Sequence, residues 1–119
     1  MIKSSKYRNL KTVIDGITFD SKLEAEYYEY LKGFYPEINV HVHVPCVING
    51  KKVFRYIADF YIPEIDEYHD VKGATFGAPY QYFKLKCRIL KAAHDIDVYV
   101  ITKKKKLWNK SLAIEEKKK

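Results

Sequence analysis

Asp59, Asp70 and Lys72 set two carboxylates and an ammonium in adjoining stretches of chain that read as strands. Residues 56–62 and 67–72 are rich in aromatic and β-branched side chains, and Pro63-Glu64-Ile65-Asp66 between them carries turn residues. With 63–66 as the loop, Phe60 faces His69 and Asp59 lies opposite Asp70. Side chains alternate along a strand, so Asp70 and Lys72 share a face, about 7 Å apart. Such a group suits a divalent cation and a positioned water. A plainer reading is an exposed cross-strand charge pair. The setting speaks against it, because Ile57, Ala58, Phe60, Tyr61 and Ile62 form a run apolar enough to be buried on both faces. An unpaired carboxylate in such a place is costly.

The elements around this hairpin follow from local signals. Asp15-Gly16 between Thr12-Val13-Ile14 and Ile17-Thr18-Phe19 predicts a two-residue hairpin turn. Ser21-Lys22-Leu23-Glu24 fits a capping box opening a helix to about Lys32, with Leu23, Tyr27, Tyr30 and Leu31 on its buried side. Glu24 is therefore either a helix cap or an acid that serves the hairpin. From Ile38 to Val47 the chain alternates, with Val40, Val42 and Val44 on one face and His41 and His43 on the other. Asn49-Gly50 then predicts a tight turn into the strand of Asp59. A helix from about Tyr80 to His94 carries Phe83, Cys87 and Leu90 as its core stripe. Lys84, Arg88 and Lys91 line another of its faces, either a solvated surface or a phosphate track, and Lys86 flanks the side toward the sheet. Residues 96–102 read as a last strand, and Leu107, Trp108, Leu112 and Ile114 as a short closing helix.

Composition sets the bounds. A chain of 119 residues, almost half of them apolar, makes one domain with a proper core. About residues 1–10 and 115–119 read as flexible basic termini. The net charge of +7 calls for a polyanionic partner, nucleic acid before an acidic membrane. Lys6, Arg8, Lys84, Lys86, Arg88, Lys91, Lys103 and Lys104 are the candidate phosphate contacts. No apolar run approaches the ~18 residues of a membrane span, so a cytoplasmic protein is expected. Cys46 and Cys87 lack metal-site spacing and read as reduced thiols.

Ala58-Asp59 and Asp70-Val71-Lys72, with Glu24 on an upstream helix, resemble the PD-(D/E)XK nuclease superfamily. Phe19-Asp20-Ser21-Lys22-Leu23-Glu24 and Phe60-Tyr61-Ile62-Pro63 are similar to its small phage endonucleases, including the endonuclease I type of Holliday-junction resolvase. The similarity spans about residues 10–102. Ala58 stands where the superfamily usually has Pro; that residue shapes the strand and is not a ligand. The resemblance implies an α/β (α+β) fold with a restriction-endonuclease-like core, a mixed central β-sheet flanked by helices. It implies Mg²⁺ or Mn²⁺ bound by Asp59, Asp70 and the backbone carbonyl of Val71, with Glu24 completing the shell or binding a second ion. Lys72 would hold or help deprotonate the attacking water. Branched DNA as substrate, a homodimer and a phage or prophage origin belong to the same expectation. Two alternatives stay open: a non-catalytic nucleic-acid-binding module, and a DNA-cleaving subunit of a transposition or restriction system.

Overall fold

The computed structural model describes residues 11–108. Lys6 and Arg8, both basic termini and the far part of the expected closing helix lie outside the described residues. The protein is a mixed α+β structure that divides into two compact units, Met1–Pro36 and Glu37–Lys119.

In the first unit, β1 (Thr12–Ile14) and β2 (Ile17–Phe19) form an antiparallel pair closed by Asp15-Gly16. Both turn residues have positive φ, 54° and 77°, the backbone that a two-residue type I′ hairpin demands. Helix α1 (Lys22–Lys32) follows. Its buried residues are Glu24, Ala25, Tyr27, Tyr28 and Leu31, so the stripe is rotated from the expected one and Leu23 and Tyr30 are only half-buried. The turn anchors the rotation. The Tyr28 hydroxyl donates to Asp15 Oδ2 at 2.9 Å, and Lys32 Nζ donates to the same oxygen at 2.6 Å. The Lys32 and Tyr28 hydrogen bonds hold the Asp15 carboxyl below the usual carboxylate range.

The second unit is built on a mixed four-stranded sheet of order β3-β4-β5-β6: β3 (Asn39–Ile48), β4 (Lys51–Ile62), β5 (Glu67–Val71) and β6 (Val98–Ile101). Neighbours pair antiparallel until β5 and β6, which run parallel through helix α2 (Gly77–His94). A crossover helix is what a parallel pair requires. Phe83 and Leu90 of α2 pack on one face of the sheet against Val44, Cys46, Tyr56 and Ala58. The Val47 N–H donates to His94 Nε2 at 3.0 Å, fastening the far end of the helix to the hairpin. The helix starts at Gly77, earlier than expected, because Pro79 sits in its first turn, where a missing N–H costs nothing.

The parity of the sheet changes inside β4. Ala58 packs toward α2, and so does Tyr68, which pairs with Tyr61. Strict alternation puts residues 58 and 61 on opposite faces, so the strand must change face between them. Opposite this point the register is the same on both sides, Val42↔Ala58 and Val40↔Phe60, but the pair between them drops out of the ladder, and His41 there has φ 52°. Positive φ is uncommon outside glycine, and such irregularities re-aim side chains. The switch corrects two expectations: Val40 does not continue the α2-facing row of Val42 and Val44, and β4 is not buried on both faces. Ile57 is 46% exposed. Phe60, Ile62, Glu67 and His69 are fully or almost fully buried; burial pushes the His69 imidazole down to about 4, and its Nε2 lies 2.8 Å from Glu67 Oε1.

Gly50 closes the β3–β4 turn at φ 76°, with open space where a Cβ would stand. A side chain there meets backbone strain and nothing else. Gly50→Ala should cost about 1–2 kcal/mol in a urea titration. Gly73→Ala, at an open position without positive φ, should be near neutral; equal losses would point away from the turn.

Candidate active site

The β4–β5 pair holds the expected register, with Phe60↔His69, Tyr61↔Tyr68 and Ile62↔Glu67. The loop closes through hydrogen bonds from Ile65 N to Ile62 O and from Asp66 N to Pro63 O, and Asp66 has φ 52°. Its carboxylate accepts from the Tyr61 hydroxyl at 2.6 Å. The next opposed pair is Asp59 and Asp70, where backbone pairing gives way to side chains. The Asp59 N–H donates to Asp70 Oδ1 at 3.3 Å, and the Val71 N–H donates to Asp59 Oδ2 at 2.7 Å.

Lys72 lies on the same side. Its Nζ is 3.3 Å from Asp70 Oδ2 and 4.0 Å from the centroid of the Phe83 ring. The Lys72 side chain is 29% exposed and that of Asp70 only 6%, so the ammonium reaches solvent across a buried acid. The Lys72 N–H donates to Ile101 O at 2.8 Å, extending the β5–β6 pairing to the base of this side chain. Two carboxylates, a cation and the aromatic face beneath it thus meet where β4 changes face.

Neighbouring groups feel these charges. Burial pushes the Cys87 thiol up to about 11, with Asp70 adding to the shift and Lys72 opposing it. Cys46 and Cys87 are both free thiols. Burial raises the Tyr56 phenol far above its ordinary value, with Asp70 the next contributor and Asp59 a smaller one. Tyr56, Phe83 and Cys87 were not singled out for this site by the sequence. Three positions separate Tyr56 from Asp59, and regular alternation would put them on opposite faces.

Glu24 belongs to the other unit. Its Oε1 accepts from the Ser21 N–H at 3.1 Å, while its own N–H donates to Ser21 Oγ at 3.1 Å. The expected capping box is therefore complete, and it employs the carboxylate named as a possible metal ligand.

Among the described residues no three His, Cys, Asp or Glu side chains gather as a metal cage. Two carboxylates still fit Mg²⁺, which keeps several waters and takes one or two protein carboxylates. They do not fit a dedicated Zn²⁺ cage. Asp59, Asp70 and the Val71 carbonyl are the donors at hand.

The basic residues fall into separate groups. Lys84 and Arg88 are exposed on α2 and line a groove of about 240 Å³ with Tyr80, Phe83 and Val98. Lys91 lines it too, but its ammonium is paired with Asp95 at 2.8 Å and Asp97 at 3.1 Å. Lys86 lies over the Tyr82 ring at 4.6 Å and the Phe54 ring at 5.8 Å. Lys103 and Lys104 are exposed beyond β6.

A family model described as a protein of unknown function, DUF1064, matches residues 4–43, less than half of the chain. The match takes in Ser21 and Glu24 and ends before Asp59, Asp70 and Lys72. No curated protein and no solved structure matches.

The capping box makes a separable prediction. Glu24→Gln keeps an acceptor for the Ser21 N–H and should shift stability by well under about 1 kcal/mol, whereas Glu24→Ala should cost about 1 kcal/mol. Denaturant midpoints of the two variants decide it, and equal midpoints would mean that the box contributes nothing.

Proposed function

We propose that this protein is a metal-dependent endonuclease that hydrolyses phosphodiester bonds in DNA. The observation that carries the reading is the meeting of Asp59, Asp70 and Lys72 where β4 changes face, in a chain of net charge +7. Carboxylates in a cleft repel a phosphate backbone unless a cation stands between them. A bound Mg²⁺ or Mn²⁺ would neutralise the phosphate and lower the pKa of a coordinated water. Asp59 and Asp70 would hold that ion, with the Val71 carbonyl as a third oxygen donor. The Lys72 ammonium orients the attacking water and stabilises developing negative charge.

The substrate in this reading is branched DNA, resolved by a homodimer. One chain carries one such acid pair and makes one nick at a time, and a two-fold pair supplies two. Lys84 and Arg88 contact phosphates. Lys91 contributes less, because Asp95 and Asp97 already neutralise it. Among the described residues no helix is long and apolar enough to cross a membrane. The protein would act in the cytoplasm.

A second reading rests on a specific observation: the 3.3 Å Asp70–Lys72 pair and the Asp59–Val71 hydrogen bond could also serve a non-catalytic nucleic-acid-binding module. The two readings part in one assay, with purified protein on linear, single-stranded, flapped and four-way DNA, in Mg²⁺, Mn²⁺ or chelator. The nuclease reading expects cleavage that chelator abolishes. Asp59→Asn, Asp70→Asn and Lys72→Ala should each lower the rate about 100-fold or more while remaining folded. Wild-type cleavage by Asp59→Asn would overturn it.

Binding offers an independent check. Lys84→Ala with Arg88→Ala should weaken affinity for all DNA sequences alike and make the salt dependence shallower by about two phosphate contacts. Lys91→Ala alone should change the slope little. An unaltered slope in the double variant would exclude this face of α2 from the DNA path.

A further inference from the structure

Tyr56 stands on β4 opposite Val44, with its ring 6.3 Å from that of Phe83. It is 5% exposed, and its hydroxyl is fully buried without a well-formed hydrogen bond among the described residues. The groups around it are the acids of the candidate site. Asp70 and Asp59 both act on the phenol, and Asp70 lies close enough to contribute a weak hydrogen-bonding effect. A buried hydroxyl without a good partner is destabilising, and a phenylalanine of the same shape would avoid that cost. Native structures leave few such groups, and each calls for an explanation. Here the change of face in β4 supplies one, since it brings this side chain, three residues before Asp59, to the same side as both carboxylates.

Donors and acceptors narrow what can satisfy the hydroxyl. The phenol is held protonated, so it has a hydrogen to give. Asp59 and Asp70 already accept from the Val71 and Asp59 N–H groups, and Asp70 also faces Lys72. These carboxylates keep acceptor capacity, but neither makes a well-formed hydrogen bond with the phenol, and an oxygen brought in by a ligand would supply one. We infer that the Tyr56 hydroxyl donates a hydrogen bond to an oxygen of the ligand held at Asp59 and Asp70, either a water on a bound divalent cation or a phosphate oxygen of the nucleic acid. The inference rests on the reading of Asp59, Asp70 and Lys72 as a cation and phosphate site, and adds to it a neutral donor. Phe83 supports both donors, with its face under Lys72 and its ring beside Tyr56.

Tyr56→Phe is the test, read beside wild type and Asp59→Asn. Without divalent ions, its melting temperature should equal or slightly exceed that of wild type. A fall of several degrees would make the hydroxyl a structural hydrogen-bonding group and overturn the inference. Calorimetric titration with Mn²⁺ and binding of a four-way DNA in Ca²⁺ distinguish the two sources. A loss of about 10-fold or more in Mn²⁺ affinity identifies the cation-bound water, the scale expected for one hydrogen bond to a charged group. Unchanged Mn²⁺ affinity with a similar loss in DNA affinity identifies the phosphate oxygen. Wild-type affinity for both overturns the inference. If Asp59→Asn also binds Mn²⁺ like wild type and the wild type does not cleave, the cation site itself has failed. If Asp59→Asn loses Mn²⁺ and Tyr56→Phe binds everything normally, only the role of Tyr56 has failed.

Discussion

Two carboxylates held side by side repel each other, and the Asp59–Asp70 pair exists because the surrounding backbone is arranged to hold it. The Val71 N–H neutralises part of the charge on Asp59, the Asp59 N–H does the same for Asp70, and Lys72 closes the group. Each donor belongs to one of the paired strands or to the residue just beyond them. A one-residue slip between β4 and β5 would move one acid to the opposite face and leave the donors aimed at nothing. The Pro63–Asp66 loop guards against that slip, because Tyr61 and Asp66 tie its two sides together at the fixed length.

The change of face at Asp59 carries the same logic into the core. Before it, Tyr56 and Ala58 pack against Phe83 and Leu90. After it, the tilted rings of Tyr61 and Tyr68 lie 4.5 Å apart on that side, while Phe60 and Ile62 are buried away from it. An ideal strand would give up either the apolar packing of Ala58 or the placement of Asp59. The irregular pairing around His41 lets both coexist, at the cost of one strained residue and a gap in the ladder.

Much of this was legible in the residues. Strand period and a four-residue loop with Pro and Asp fix the β4–β5 register, and Asp15-Gly16 and Asn49-Gly50 announce their turns. Ser21 and Glu24 announce the helix cap. What escaped has physical reasons. A face change leaves no mark on composition, so Tyr56 looked remote from Asp59 and Ile57 looked buried. Pro79 reads as a loop residue unless it falls in a first helical turn, which is where it lies. Lys91 looked like a free member of a basic stripe, yet one of its partners, Asp97, lies beyond the helix end, where helical spacing does not reach.

The strand order β3-β4-β5-β6 repeats the order of the chain. Every joint of the four-stranded sheet therefore closes between consecutive strands, through a two-residue turn, a four-residue loop and one helical crossover. Short closures forfeit little chain entropy, and local pairing speeds folding. The two aspartates come together through the four-residue loop alone, before the long crossover has to close. The acid pair is thus a property of one hairpin, while the aromatic floor beneath Lys72 depends on α2. In the chain, β3, β4 and β5 all precede the helix that covers them.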